Sequence, residues 1–293
     1  MTWRAYQVVF KLKSPLHIGC GKVGNVQRTR SYVTGRVFWG ALTMRLTRDG
    51  TDEPATDTKQ YECYGKKVDD NLAFTYFYPA IESNGDYKVK VKWPWGSENE
   101  NESLFRRCFL SSYASTALVY PQQAAEEGLL HEVEFISPRT LDEGKQVYLV
   151  GYVFEKIEKE ECAVKWKEAC YRLQMGGERG YGWGNVAVKE IKKLTESEKL
   201  FNAYTWTSEN ISSENSSIVI QALENSRLLA HTKTKEKLLI QGEIEPLVGR
   251  EWKVANQAGE SVAFSGLCWT PGSMVKQPST FVIQKFGIWK FND

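Results

Sequence analysis

Five glycines fall within ten residues at positions 175–184, where the chain reads Met-Gly-Gly-Glu-Arg-Gly-Tyr-Gly-Trp-Gly. Glycine at this density does not suit the interior of a helix or a strand and indicates a tight loop. A stretch with a helical pattern precedes it, and strand-like residues 185–191 follow it. The glycines either form a packed helix-to-strand turn, or they bring backbone N–H groups close to another backbone, as a nucleic-acid phosphate requires.

The charge distribution favours the second interpretation. The first 48 residues contain no Asp or Glu, and they carry nine basic side chains: Arg4, Lys11, Lys13, Lys22, Arg28, Arg30, Arg36, Arg45 and Arg48. Because the whole chain has a formal net charge of +2, residues 49–293 have a net charge of −7. This asymmetry indicates an N-terminal region that faces a polyanion, the alternative being a solvated basic face without a partner.

Together the two features define a candidate RNA-binding set. Basic side chains contribute phosphate contacts, glycines allow close approach, and the two aromatic rings of the loop offer stacking faces. The set is Lys22, Arg28, Arg30, Arg36, Gly176, Gly177, Arg179, Gly180, Tyr181, Gly182, Trp183 and Gly184.

Composition narrows the class of protein. A chain of 293 residues with 42% hydrophobic residues and ten Trp predicts a folded globule of one large domain or two ordinary ones. We expect no membrane association, because no apolar run reaches the roughly 18 residues that span a bilayer and the N-terminus lacks a signal-peptide core. The six cysteines are scattered without a C-x-x-C pair. They predict reduced thiols in a cytoplasmic protein, with neither a metal site nor a cofactor.

Hydrophobic periodicity predicts the order of the elements. In chain order we expect a strand at 6–13, a basic glycine-rich loop at 19–32, a helix at 37–46, an irregular polar stretch at 49–70, paired strands at 129–136 and 146–154, a helix at 163–175, and then the glycine segment and its strand. This order predicts an α+β fold of the ferredoxin-like (RRM-like) β-α-β-β-α-β type with insertions.

The domain organisation follows from the same patterns. Residues 1–193 are expected to form the ferredoxin-like domain, with an insertion at about 49–125. The polar residues 194–217 are predicted to be a linker or surface loop. Residues 218–293 contain short strand-like runs and predict a second, smaller part that is β-rich or RRM-like.

Sequence motifs for dinucleotide binding, nucleophilic catalysis and nucleotide binding by a P-loop are incomplete or absent. The G-x-G-x-x-G pattern at 19–24 has no helical pattern after it and no acid before Asp49, so it does not fit a dinucleotide site. Neither a G-x-S-x-G nucleophile nor a G-K-[ST] P-loop occurs. His17, between Leu16 and Ile18, is the one histidine near the basic region, where packing or a backbone hydrogen bond is the simpler role.

Several segments resemble the RAMP superfamily of CRISPR-associated proteins. They are Ser-Pro-Leu-His-Ile-Gly at 14–19, Gly-Arg-Val-Phe-Trp-Gly-Ala-Leu at 35–42, Gly-Leu-Leu-His-Glu-Val-Glu at 128–134 and the glycine segment itself. The resemblance spans residues 5 to about 192 and rests on the order and spacing of these segments. In the last hundred residues, Ser-Gly-Leu-Cys-Trp-Thr-Pro-Gly-Ser at 265–273 resembles a strand and turn of the second RRM-like half of larger members.

The resemblance implies a role in antiviral defence as a guide-RNA-binding subunit of an effector complex, most like type III systems. Its partners would be guide RNA and other effector subunits. Members that cut target RNA carry an aspartate after the first strand, whereas residues 20–33 contain no acid here. We therefore expect a non-catalytic subunit, an end cap or a backbone member. The alternatives are a metal-independent guide-processing endoribonuclease with His17 as its base, or a protein–protein scaffold.

Overall fold

The computed structural model describes residues 2–51, 54–83, 86–96, 101–121, 124–158, 161–210, 216–235, 238–252 and 259–292. Its helices are α1 (Gly35–Asp49), α2 (Thr58–Asn71), α3 (Glu102–Phe109) and α4 (Trp166–Cys170). The strands of the first two-thirds are β1 (Thr2–Leu12), β2 (Gly19–Val23), β3 (Val26–Thr29), β4 (Leu72–Phe74), β5 (Tyr78–Ser83), β6 (Asp86–Val91), β7 (Leu110–Ser115), β8 (Leu118–Val119), β9 (Ala124–Ala125), β10 (His131–Ile136), β11 (Tyr148–Ile157) and β12 (Val186–Lys193).

The remaining strands are β13 (Thr205–Asn210), β14 (Ser216–Ala222), β15 (Thr232–Lys233), β16 (Ile240–Gln241), β17 (Ile244–Glu251), β18 (Ser261–Trp269), β19 (Met274–Val275), β20 (Ser279–Ile283) and β21 (Trp289–Phe291). Single 3₁₀ turns lie at Arg179–Tyr181 and Lys285–Gly287. Helices and strands are thus mixed along the chain, and the predicted α+β class is confirmed.

A central sheet has the strand order β12-β1-β11-β5-β6, and β4 also pairs with β11. Neighbouring strands in this order are antiparallel. Helix α1 lies between β1 and β4 in the chain, and α4 lies between β11 and β12. The outer strands β12 and β6 therefore lie at opposite edges of the sheet.

Helix α1 covers one face of this sheet. Phe38, Leu42 and Leu46 recur at fourth positions and are buried, which gives the helix one apolar stripe. The ring centroids of Phe38 and Phe77 lie 4.7 Å apart. Gly151 of β11 lets Phe77 approach, because a Cβ at that position would lie 2.6 Å from the ring. The apolar stripe of the first helix therefore packs against Phe10 of β1, Phe74 of β4 and Phe77.

The central sheet is buried on its second face as well. The alternation in β1 predicts a half-buried strand, yet Ala5 and Val9 are as buried as Val8 and Phe10 on the helix side. Ala5 is covered by a seven-stranded C-terminal sheet with the order β13-β14-β20-β21-β15-β18-β17, whereas Val9 packs in a smaller cluster with Phe201. The buried side chains of the C-terminal sheet share a cluster with those of the central sheet, including Ala5, Tyr78, Tyr152, Phe154, Ile220, Phe281 and Trp289. The molecule therefore has a helical layer, a central sheet and a second sheet.

Residues 194–217, predicted to be a linker, contribute to this second layer. They include β13, which pairs with β14, and the buried side chains of Leu194, Leu200 and Tyr204. Residues 211–215 of this stretch lie outside the described residues. How the chain divides into domains stays a prediction.

Four local expectations are wrong. The strands expected to pair at 129–136 and 146–154 lie in different sheets, because β10 pairs with β3 and β7 whereas β11 pairs with β1, β4 and β5. Residues 19–32 contain the β2–β3 hairpin, which continues into a four-stranded sheet β2-β3-β10-β7. The polar stretch 49–70 contains α2, which begins with a reciprocal capping box between Asp57 and Gln60. The helix expected at 163–175 ends at Cys170, because Gln174 pairs with Asn185 and holds the chain extended at the neck of the glycine segment.

Candidate nucleic-acid interface

The glycine loop, defined as residues 175–184, is fastened to the segment that follows β1. The Gly177 N–H donates to the carbonyl of His17 at 2.9 Å, and the Gly184 N–H donates to the carbonyl of Pro15 at 2.7 Å. Across the neck of the loop, the Met175 N–H donates to the carbonyl of Gly184 at 2.9 Å. Both ends of the loop are therefore held by backbone hydrogen bonds, which limits its freedom to move.

The glycines of this loop fall into two groups. Gly176 and Gly184 have φ of +80° and +79°, and a Cβ would lie 2.3 Å from the His17 oxygen and 1.8 Å from the Met175 oxygen respectively. At Gly177 a Cβ would lie 3.0 Å from the His17 ring. These three positions require glycine for packing inside the chain.

The other two glycines face open space. Around the Cβ positions of Gly180 and Gly182 there is no atom of a non-neighbouring residue within 4 Å in the described chain. Gly182 has a φ of +82°, which accounts for glycine there. The backbone of Gly180 is not in the left-handed region. Packing and backbone geometry within the chain therefore give no reason for glycine at 180.

The side chains of the loop have different surroundings. The Tyr181 ring is 82% exposed. Arg179 is exposed, and its guanidinium touches the Met44 sulfur at 3.0 Å. The Trp183 ring instead meets Phe135 edge-on, with centroids 5.0 Å apart. Tyr181 thus offers a free stacking face, whereas Trp183 fastens the loop onto β10.

The β2–β3 hairpin lies beside the loop, because its first residues continue from the segment that holds the loop. Lys22 is exposed on it and pairs in register with Gln27. Strand β3 runs parallel to β10. The hairpin therefore presents Lys22 to solvent from a strand that is tied into a larger sheet.

Glu134 of β10 organises the base of this hairpin. Its carboxylate accepts hydrogen bonds from Arg28 Nε at 3.0 Å, from the Thr29 N–H at 2.9 Å and from Arg106 Nη2 at 2.6 Å. Arg28 keeps an exposed guanidinium surface within this ion pair. Glu134 and Arg106 were not in the predicted set, although the segment 128–134 drew attention to Glu134 as part of a resemblance.

Arg30 and Arg36 point to the C-terminal sheet. Arg30 Nη1 lies 2.7 Å from Glu245, and Arg36 Nη1 lies 3.2 Å from Glu251. The Arg36 guanidinium also lies 4.0 Å from the centre of the Phe286 ring. Although burial raises the pKa of Glu245, the hydrogen bond from His231 and the charge of Arg30 lower it to about 2. Both arginines thus have acidic partners within the chain.

The three histidines lie in separate environments. His231 is fully buried between the Tyr76 hydroxyl, 2.7 Å from its Nδ1, and Glu245 at its Nε2, and burial lowers its pKa. His131 Nε2 lies 2.9 Å from the Ser115 hydroxyl at the surface. His17 is 6% exposed, and its Nδ1 lies 2.7 Å from the carbonyl oxygen of Glu134.

Two features are absent from the described residues. Groups of three or more His, Cys, Asp or Glu side chains placed to hold a metal ion do not occur among them. Within the same residues, helices that are both long and apolar enough to cross a membrane are absent.

Comparisons with known proteins gave structural matches. No family model matches the chain, and no curated protein matches it. A chain of a type III-B Cmr-beta complex bound to cognate target RNA and AMPPnP is similar at 11% identity and a TM-score of 0.48, over 92% of this chain and 86% of that one.

Two further cryo-EM structures are of the same kind. A chain of Cmr-beta bound to cognate target RNA has 13% identity and a TM-score of 0.41, covering 64% of this chain and 96% of that one. A chain of apo Cmr-beta has 12% identity and a TM-score of 0.39, covering 66% and 98%. All three solved structures are of type III-B Cmr-beta complexes.

Proposed function

We propose that this chain is a non-catalytic, guide-RNA-binding subunit of a CRISPR effector complex. In this proposal the RNA backbone runs over the open side of the glycine loop and along the β2–β3 hairpin. The core would be a ferredoxin-like domain, which the strand order β12-β1-β11-β5 and the two helical connections support.

The observation that carries the proposal is Gly180. It occupies open space, needs no left-handed backbone, and lies between exposed Arg179 and exposed Tyr181. A glycine that packing does not require is expected where another molecule must come close to the backbone. A phosphate group beside Arg179 and a base on the Tyr181 ring fit this arrangement.

Electrostatics narrow the set of phosphate contacts. Lys22 and Arg179 are exposed, and the side chain of Arg28 is 40% exposed although it pairs with Glu134. The side chains of Arg30 and Arg36, which pair with acids of the C-terminal sheet, are only 16% and 21% exposed. We therefore assign the first three to RNA and the last two to holding the C-terminal sheet against the N-terminal half. Cytoplasmic location and assembly with other effector subunits belong to the same proposal.

The salt dependence of binding tests this assignment. Each phosphate contact to a single strand contributes about 0.7 to the slope of log K against log salt concentration. Lys22→Gln with Arg179→Gln is expected to weaken binding of repeat-derived guide RNA and to flatten the slope by about 1.4. Lys90→Gln is the matched control, because it removes one exposed charge at the opposite edge of the central sheet. An unchanged slope in the folded double variant would exclude this surface.

One observation supports the endoribonuclease alternative. A carbonyl oxygen only accepts hydrogen bonds, so the His17 Nδ1 that contacts the Glu134 carbonyl carries the proton. In the neutral form of the ring, this tautomer has its lone pair on Nε2, where a general base needs it. Incubating the purified chain with guide precursor separates the two readings. Specific cleavage that His17→Asn abolishes, with binding retained, would replace the non-catalytic proposal; intact RNA supports it.

A further inference from the structure

His17 meets the glycine loop through both its backbone and its ring. Its carbonyl accepts the Gly177 N–H at 2.9 Å, and the same oxygen lies where a side chain on Gly176 would have to go. A Cβ on Gly177 would lie 3.0 Å from His17 Cδ2. The loop is thus shaped around this residue.

The ring also lies close to the beginning of the hairpin. A Cβ on Gly19, the first residue of β2, would lie 3.2 Å from His17 Nε2. The Cδ2–Nε2 edge of the ring therefore lies close to both Gly19 of the hairpin and Gly177 of the loop. Close packing of this kind couples the position of the loop to the position of the hairpin.

A hydrogen bond fixes the orientation of the His17 ring. The protonated Nδ1 donates to the Glu134 carbonyl at 2.7 Å, and the side chain of the same Glu134 holds Arg28 and the Thr29 N–H of β3. One residue of β10 therefore positions the hairpin through its side chain and the His17 ring through its backbone. Loop, hairpin and β10 meet at His17.

We propose that His17 is a positioning residue that sets the glycine loop at a fixed distance from the β2–β3 hairpin. It makes the two phosphate-binding elements one rigid surface, so that RNA does not have to order them on binding. The RNA-binding consequence rests on the proposed function; the positioning of the loop does not. The role needs a donor at the Nδ1 position and no chemistry at Nε2.

Two amides distinguish the two ring nitrogens. The side-chain amide of asparagine can occupy the position of Nδ1, whereas that of glutamine reaches the position of Nε2. His17→Asn is therefore expected to keep the hydrogen bond to the Glu134 carbonyl, and His17→Gln and His17→Ala to lose it. A role in packing alone gives no reason for asparagine to perform better than glutamine.

Hydrogen–deuterium exchange of the peptide that covers residues 174–185 measures the loop directly in the full chain. Losing one hydrogen bond is expected to speed exchange there about five- to tenfold in His17→Ala and His17→Gln, with His17→Asn within about twofold of the wild type. Affinity for guide RNA should fall in the same order. If His17→Ala fails to fold, the comparison of Asn with Gln still decides.

The two readouts separate failure of this proposal from failure of the proposed function. Equal exchange in the Asn and Gln variants, or wild-type exchange in His17→Ala, would overturn the positioning role. Should the wild type bind no RNA while the exchange rates follow the predicted order, the positioning role stands and the RNA-binding function is wrong.

Discussion

The two groups of glycines in the loop make opposite predictions for the same substitution. Gly184→Ala places a Cβ 1.8 Å from the Met175 oxygen at a φ of +79°, whereas Gly180→Ala places one in open space with an ordinary backbone. A left-handed backbone costs a non-glycine residue about 1–2 kcal/mol. Moving the Met175 carbonyl also endangers the hydrogen bonds at Met175 and at Pro15, worth about 1 kcal/mol each.

We therefore expect Gly184→Ala to lower the free energy of unfolding by about 3 kcal/mol, which lowers Tm by about 6–12 °C for a chain of this size. Gly180→Ala should stay within about 0.5 kcal/mol of the wild type. Thermal melts followed by circular dichroism measure both. Although substitution at Gly180 should change stability little, it should affect RNA binding. Gly180→Val is expected to weaken the binding of guide RNA, because the larger side chain blocks the approach of the RNA backbone.

Two outcomes would contradict these expectations. Equal Tm values for Gly184→Ala and Gly180→Ala would show that the close approach at Gly184 does not constrain the fold. Wild-type RNA affinity in a folded Gly180→Val variant would show that the open side of the loop is not where RNA lies.

Further predictions concern the acidic residues that hold the layers together. The pKa of Glu245 is lowered from 4.5 to about 2, so its contribution to stability is complete above about pH 4.5 and is lost as the pH falls towards 2. The difference in Tm between the wild type and Glu245→Gln should therefore shrink as the pH falls through this range. Arg36→Gln should lower Tm in thermal melts and leave the salt dependence of RNA binding unchanged. A flatter salt slope in this variant would show that Arg36 contacts RNA. Glu155→Ala leaves the buried Tyr6 hydroxyl and Trp166 N–H without their acceptor and should cost about 3 kcal/mol in denaturant unfolding, against about 1 kcal/mol for Tyr6→Phe; equal costs would contradict this.

Local patterns were enough to find strands β1, β11 and β12 of the central sheet and its first helix. The alternation from Tyr6 to Leu12 and the spacing of Phe38, Leu42 and Leu46 express strand and helix geometry within a few residues, so they are readable without the rest of the chain. The same holds for the glycine loop. Helix α2 was missed because only Val68 and two small residues are buried on it, although its Asp57 and Gln60 capping signal was readable.

What the sequence determined by itself is therefore local: the glycine loop between a helix and a strand, the alternating first strand, and a cluster of nine basic residues with no acid among them. Where those charges point was decided only by the tertiary structure. Arg30 pairs with Glu245 of the C-terminal sheet, and Arg36 pairs with Glu251, an acid 215 residues away. Ion pairs between residues so far apart leave no periodic signal in the chain, because they form only when the C-terminal sheet packs against the central sheet. The same packing buries the second face of β1 and separates the arginines that hold the layers together from the basic residues left at the surface.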